Sequence, residues 1–428
     1  MFLMLSDIHF DPYSDPVIME QLGAKPTAAC RVPTPTAFSK FGSDSNYPLL
    51  KSTLDHVVAT AAANHIHYDY VIATGDFLAH KFDARFEQCV GGGADAHGKF
   101  AANTLRFVDG MIAKALPGVP VFAALGNNDS DRGDYAAPSP AFLKGAAGSR
   151  SLGWRNLPAE LRAAATASFE KAGYYSLPNP AVANHELIVI NSNLWAAHNS
   201  QACSDSDPDP GGQFRWLAGV LERIDRAHGR ASLIMHILPG IDAIKSSAGA
   251  PREFWTQACT QKLISELSSF PGVVRGMYAG HIHRDDFRLL PGADGQPLCA
   301  IHIIPAVSPV YLDNPAVEIG WYDKANGDLK DFATLVLNLG GTKPAWETEY
   351  VFTRAYGRGS PDLATLAELS KAIRVGNPSS GVGKQYASFY GAGVSIFLTP
   401  SNWLSYACAQ TEITSSSYDR CRSAGATP

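Results

Sequence analysis

Phe2-Leu3-Met4-Leu5-Ser6-Asp7-Ile8-His9 sets four apolar residues directly before an aspartate and a histidine two positions apart. An apolar run of this length reads as a buried strand, and an Asp-x-His pair just past its end falls on the following loop. The arrangement recurs along the chain. Residues 70–73 run into Thr74-Gly75-Asp76, 119–125 into Gly126-Asn127-Asn128-Asp129, and 187–190 into Asn191. Residues 231–235 then lead to His236, and 273–279 to Gly280-His281-Ile282-His283. Polar groups gathered outside the C-terminal ends of buried strands are the usual site geometry of an α/β protein.

Helical stretches at 49–64, 100–116, 157–172, 213–228 and 255–268 separate these runs. Strand and helix therefore alternate in α/β layers, and no internal repeat is visible. Residues 11–46 are rich in Pro, Ser and Thr, 130–153 in Gly, Ala and Pro, and 204–212 in Asp and Pro. These read as long loops, which in a compact domain tend to form functional rims or lids. The strand rhythm stops near Glu347, and 361–373 and 403–409 look helical. The expected organisation is a catalytic domain of residues 1–346 and a small helical C-terminal subdomain of residues 347–428.

Seven of the strand-end residues have metal-ligand chemistry: Asp7, His9, Asp76, Asn127, His236, His281 and His283. Carboxylate, imidazole and amide together suit hard-to-borderline divalent metals. Each motif alone occurs by chance, Asp-x-His and Thr-Gly-Asp often, so the information lies in their order. At Asp-x-His and His-x-His, positions two apart in an extended segment point the same way and reach one site. Two metals about 3.5–4 Å apart lower the pKa of a bridging water and clamp phosphoryl oxygens, which is what phosphoester hydrolysis needs. Asp76 is expected to bridge the ions, with Asp7, His9 and His283 on one and Asn127, His236 and His281 on the other. His65-Ile66-His67 has the same spacing but precedes a strand, so it reads as surface imidazoles.

The set resembles the calcineurin-like metallophosphoesterase superfamily, and more closely the acid sphingomyelinase and acid sphingomyelinase-like phosphodiesterase family. Ser6-Asp7-Ile8-His9-Phe10-Asp11-Pro12 resembles that family's first metal motif, and Gly75-Asp76-Phe77-Leu78-Ala79-His80 its second, with the extra histidine. Gly212-Gln213-Phe214-Arg215-Trp216-Leu217 resembles its Gly-Gln-x-x-Trp-Leu helix start. Ala355-Tyr356-Gly357 and Cys408-Ala409-Gln410 through Cys421 resemble its C-terminal subdomain, so the likeness spans almost the whole chain. It implies a four-layer metallophosphoesterase fold, a β-sandwich flanked by helices with a helical C-terminal subdomain. The implied cofactors are two divalent metal ions, foremost zinc, although the same ligands accept manganese or iron.

The family pattern is broken at one position. Gly-Asn-His-Asp or Gly-Asn-His-Glu is usual, but here Asn128 replaces the histidine that contacts phosphate and helps protonate the leaving oxygen. Asparagine donates a hydrogen bond but delivers no proton near neutral pH. The acid role is therefore expected of His80, whose bland alternative is an orienting residue. Asp129 is expected to orient a ligand histidine through its other N–H. Purple acid phosphatases need a tyrosine three residues after the bridging aspartate; Ala79 stands there, so a colourless protein is expected.

The chain has 428 residues, 46% hydrophobic and 18% charged, with net charge −5, which allows a large core and gives no basic excess for a nucleic-acid polymer. The basic stretch 150–155 reads as solvated loop, and no apolar run would span a bilayer. None of the seven cysteines forms a C-x-x-C pair, which leaves buried thiols or disulfides open. The resemblance implies a Cys408–Cys421 disulfide, with Cys203–Cys259 second, Cys30–Cys89 third and Cys299 free. That favours a periplasmic or secreted setting. The sole N-x-S/T sequon, at Asn128 inside the site where a glycan could not fit, favours a bacterial-type periplasmic or secreted setting over a eukaryotic secretory one.

A small phosphodiester or nucleotide substrate and a monomer are expected. Sphingomyelinases carry an N-terminal saposin domain, whereas this chain starts at its first catalytic strand, which shifts the expectation to soluble substrates such as nucleotides or phosphocholine esters. Loop aromatics Tyr135, Trp195, His198, Tyr311 and Trp321 are candidates for selectivity, with core packing as the alternative. A phosphomonoesterase on the same site, and a binding module with weak catalysis, are the competing readings.

Overall fold

The computed structural model describes residues 1–150, Trp154, 157–292 and 294–425. Among the described residues, twelve strands form two six-stranded sheets. The strands are β1 (Phe2–Leu5), β2 (Tyr70–Ala73), β3 (Val121–Ala123), β4 (Tyr175–Pro178), β5 (His185–Val189) and β6 (Arg230–Ile234). They continue as β7 (Val274–Ala279), β8 (Asp286–Pro291), β9 (Pro297–Ile303), β10 (Ala316–Tyr322), β11 (Leu329–Asn338) and β12 (Ala345–Val351). The first sheet runs β12-β11-β10-β1-β2-β3 and the second β4-β5-β6-β7-β9-β8. In each, a parallel block (β1-β2-β3; β5-β6-β7-β9) is extended by antiparallel strands.

Side-chain alternation explains the layering. On β5, Leu187 and Val189 join the core shared by both sheets, whereas Ile188 turns to a second core with Phe214, Leu217 and Leu263. On β6, Ile234 faces the first core and Leu233 the second. The helices Gln213–Arg226 and Gln257–Ser269 thus cover the outer face of the second sheet. Leu50, Leu54, Leu105 and Val108 of the helices Tyr47–Ala63 and Gly93–Ala115 pack on the first. The two sheets meet through contacts such as Phe2 on Tyr278, ring centroids 5.8 Å apart. The result is the expected α/β arrangement of two sheets flanked by helices.

The expected strands and helices appear with ends shifted by a few residues. Residues 130–153, expected as loop, contain the helix Pro140–Arg150, and 11–46 contain the short helix Pro16–Gln21. Arg150, expected to be solvated, is buried and ion-paired with Asp109 at 2.5 Å, while 151–153, 155 and 156 lie outside the described residues. Strands end at Val351 rather than near Glu347. Beyond it the described elements are helices: Phe352–Tyr356, Leu363–Val375, Gly381–Phe389, Trp403–Ala409 and Ser415–Ala424. Cys30–Cys89, Cys203–Cys259 and Cys408–Cys421 are disulfides, and Cys299 is a buried free thiol. His65 and His67 are exposed. Among the described residues no helix is long and apolar enough to cross a membrane.

Candidate metal centre

The loops leaving β1, β2, β3, β6 and β7 meet at one end of the paired sheets. Backbone bonds fix them together: Asp7 N–H donates to Gly75 O (3.1 Å), His9 N–H to Asp76 O (2.8 Å), and Gly280 N–H to His236 O (3.0 Å). Two glycines are needed for this closeness. A Cβ on Gly126 would stand 2.0 Å from Asp76 Oδ1, and one on Gly280 would stand 2.1 Å from Ser6 Oγ. Asp7, His9, Asp76, His281 and His283 all have positive φ, between 43° and 73°. That backbone is sparsely populated outside glycine and tends to cluster at functional sites.

The structure brings all seven candidate ligands together in two groups sharing Asp76. In the first, His283 Nε2 is 3.2 Å from Asp7 Oδ1, His9 Nε2 is 3.1 Å from His283 Nε2, and His9 Nε2 is 3.4 Å from Asp76 Oδ2. In the second, His236 Nε2 lies 3.2 Å from Asp76 Oδ2 and 3.1 Å from Asn127 Oδ1. The His281 ring is 5.2 Å from that of His236. Asp134 Oδ1 accepts from Asn127 Nδ2 at 2.7 Å, which turns the amide oxygen inward.

Hydrogen-bond accounting tests whether cations fit. His9 Nδ1 faces Leu78 O (3.0 Å) and His236 Nδ1 faces Thr74 O (2.9 Å), so both rings carry that proton and aim a lone pair from Nε2. The atoms they meet, Asp7 Oδ1, Asp76 Oδ2 and Asn127 Oδ1, are also acceptors, and buried Asp7 Oδ1 has no hydrogen-bond partner. Acceptors converging without donors call for positive charge. Burial alone would raise the Asp7 carboxyl, yet His283 and His236 hold it well below the carboxylate range; His236 and His9 do the same for Asp76. Without a metal the same demand for positive charge falls on a proton: burial pulls His236 down, but Asp76 and Asp7 outweigh it and the imidazole rises to about 9, the proton standing where a cation would. His281 is half-buried, and desolvation and then the charge of His236 pull its imidazole down to about 3. The residues fit divalent metal ions.

Around this centre the other expected residues take different places. His80 stacks on His9 with ring centroids 4.0 Å apart; its Nδ1 bonds Asp44 Oδ1 (2.8 Å) and its Nε2 meets the Tyr311 hydroxyl (3.1 Å). Asn128 holds Asp76 twice: Nδ2 donates to Oδ2 and the backbone N–H to Oδ1, each at 2.8 Å. Asp129 orients no histidine. Its Oδ1 accepts from Phe77 N (2.8 Å) and Leu78 N (3.0 Å) and its Oδ2 from Gly126 N (2.9 Å), so it ties two ligand loops together. Of the ligand imidazoles, His9 and His236 lean instead on backbone carbonyls.

Of the aromatics, Tyr135 bonds His281 Nε2 through its hydroxyl (3.3 Å), His198 packs on Tyr135, and Tyr311 stands edge-on to His283 at 4.7 Å. Trp195 is core, stacked on Phe214 at 4.2 Å, and Trp321 lies on β10 against the core, so neither rims the site. Gln213 of the Gly-Gln motif braces Asn191, accepting its N–H at 2.7 Å and donating to its carbonyl at 3.1 Å. Sequence reasoning missed Asp44 and Asp134, whose only sequence signal is a carboxylate in a polar loop.

Two donor groups sharing one aspartate, on loops after parallel strands of paired sheets, define a metallophosphoesterase. A family model described as Calcineurin-like phosphoesterase matches residues 1–285, and the chain belongs to that family. It is 27% identical to human acid sphingomyelinase-like phosphodiesterase 3b, covering 100% of this chain and 91% of that protein. It is 24% identical to human cyclic GMP-AMP phosphodiesterase SMPDL3A, covering 91% and 81% respectively. With human sphingomyelin phosphodiesterase it shares 26% identity over 68% of this chain and 44% of the other. The protein is thus a metal-dependent hydrolase whose curated relatives are phosphodiesterases.

Proposed function

We propose that the protein hydrolyses small soluble phosphodiesters or phosphoanhydrides at a dinuclear centre, with Asp7, His9 and His283 holding one ion, Asn127, His236 and His281 the other, and Asp76 bridging. The observation that carries this is the convergence of acceptor atoms with orphaned Asp7 Oδ1 among them. When bound, the ions polarise the phosphoryl oxygens and lower the pKa of water at the site. Zinc is the proposed metal, since imidazole-rich sets with carboxylates suit it.

The chain's own residues then do three things. Asn128 holds both oxygens of Asp76 in register between the ligand groups. Asp129 locks the loops carrying Asp76 and Asn127 to one another. His80 gives its Nε2 proton to the departing oxygen, the task Asn128 does not perform. The names of two relatives, a cyclic GMP-AMP phosphodiesterase and a sphingomyelin phosphodiesterase, support nucleotide diesters and phosphocholine esters as substrates. Three disulfides support a periplasmic or secreted setting. We further propose a monomer whose helices beyond β12 form a C-terminal subdomain.

The test is metal-reconstituted protein on bis(4-nitrophenyl) phosphate, 4-nitrophenyl phosphate, nucleotides, phosphocholine esters and sphingomyelin. Faster cleavage of diester than monoester supports the proposal. The reverse order makes the protein a phosphomonoesterase, and no turnover with both ions bound makes it a binding module.

A further inference from the structure

His80 is the proposed acid, and its partner comes from outside every motif. Asp44, 36 residues upstream, accepts from the His80 backbone amide through Oδ2 (2.9 Å) and faces Nδ1 through Oδ1 (2.8 Å). Its side chain is only 8% exposed although its loop is polar and lies at the surface. The loop is held on both sides. Ser45 N–H donates to His9 O (3.0 Å), Asp11 N–H donates to Ser45 O (2.8 Å), and Phe10 bridges both Ser45 and Leu78. On the other side Asn46 caps the helix Tyr47–Ala63, accepting from Leu49 N–H at 3.1 Å, and its own N–H donates to Ser39 Oγ at 2.7 Å. Asp44 is therefore fixed relative to the very loops that carry His9 and Asp76.

The consequence for the imidazole is geometric. A carboxylate at Nδ1 keeps the proton there, so the tautomer is set and Nε2 is the free end. The stack on His9 turns that end toward the metal ligands, where the Tyr311 hydroxyl meets it. We propose that Asp44 is the positioning residue for the leaving-group acid, fixing the tautomer and direction of His80 so that a loop carboxylate supplies what Asn128 leaves undone. This rests on the reading of His80 as the acid. In the step served, a water molecule gives up one proton to solvent as its oxygen bonds to phosphorus, the bond to the leaving oxygen breaks with its electron pair staying on that oxygen, the His80 Nε2 proton moves onto it, and solvent returns a proton to Nε2 afterwards. Asp44 holds the ring through Nδ1 while the proton leaves Nε2, the part a buried aspartate plays behind a catalytic histidine.

The test is a double-mutant cycle of Asp44→Asn and His80→Ala on zinc-loaded protein, with bis(4-nitrophenyl) phosphate and diphenyl phosphate as substrates. Phenoxide is the poorer leaving group and needs the proton more. Asparagine keeps the size of Asp44 and an acceptor for the His80 amide, but it offers an N–H to Nδ1 and so favours the other tautomer. Asp44→Asn is expected to lower kcat on diphenyl phosphate on the order of 10-fold or more, with little change on the nitrophenyl ester and none in KM. It should cost nothing further in the His80→Ala background. An equal loss on both esters, or the same loss added to His80→Ala, overturns the positioning role while leaving His80 as acid. Equal loss on both esters for His80→Ala itself removes the acid reading and this proposal with it. If Asp44→Asn fails to keep metal or melting temperature, Asp44→Ala, which also removes the acceptor at Nδ1, is read in the same cycle by the same criteria.

Discussion

Replacing Asn128 by alanine separates two roles for this position: anchoring the shared carboxylate, or touching the substrate. In the structure Asn128 Nδ2 donates to Asp76 Oδ2 at 2.8 Å in a buried setting, and the backbone N–H of the same residue donates to Oδ1. Asn128→Ala removes only the first bond. A hydrogen bond to a charged group contributes about 1.5–3 kcal/mol. Because Asp76 faces both ligand groups, a loss of about 2 kcal/mol should appear as roughly 30-fold weaker metal binding. The assay is competition of the metal-free variant against a chromophoric chelator, with the melting temperature followed as metal is added. Unchanged metal affinity, together with a loss confined to esters of poor leaving groups, would refute the anchoring argument and place Asn128 on the substrate.

Three further outcomes follow from the same geometry. Gly126→Ala should lose most bound metal, because the new Cβ would sit 2.0 Å from Asp76 Oδ1 and 2.4 Å from its backbone nitrogen; full metal occupancy in that variant contradicts the packing. Tyr311→Phe should raise kcat/KM on phenyl esters by a few-fold, about the 1 kcal/mol of a neutral hydrogen bond, since its hydroxyl occupies His80 Nε2; a selective loss on those esters would instead make Tyr311 part of the proton path. Burial, and then the charge of Glu318, push the Glu349 carboxyl from 4.5 up to about 8. The folded state therefore binds that proton more tightly than the unfolded chain, so its stabilisation is complete below pH 4.5 and is lost as pH rises toward 8. Urea unfolding across that range should show stability falling with pH, and Glu349→Gln should flatten the slope.

The parts legible in the sequence were those written locally. Leu187 and Val189 alternate with Ile188 between two cores, and each ligand loop follows an apolar strand, so period and punctuation suffice to find them. What depends on distant partners stayed hidden. The pairing of β1 with β10 joins Phe2 to Gly320, and nothing in either segment announces the other. Asp44 reads as one polar residue in a polar loop until Phe10, Ser45 and Leu78 are seen side by side. Trp195 looks like a rim aromatic because it follows a strand, yet Phe214 and Trp255 enclose it. The Asp129 carboxylate, taken for a histidine's partner, is used up by three backbone N–H groups whose orientation only the folded loops create. The helix Pro140–Arg150 forms from a stretch rich in Gly and Ala because Phe142 and Leu143 are buried, a tertiary effect outweighing weak local propensity.

The central claim is a dinuclear centre that performs the hydrolysis, and metal stoichiometry measured beside activity tests it directly. The protein would be stripped with chelator, titrated with zinc, and followed by elemental analysis and by cleavage of bis(4-nitrophenyl) phosphate. The account predicts activity that vanishes on stripping, returns with metal, and saturates at two ions per chain. Hydrolysis that persists in the stripped protein, or that saturates with one ion bound, would contradict it.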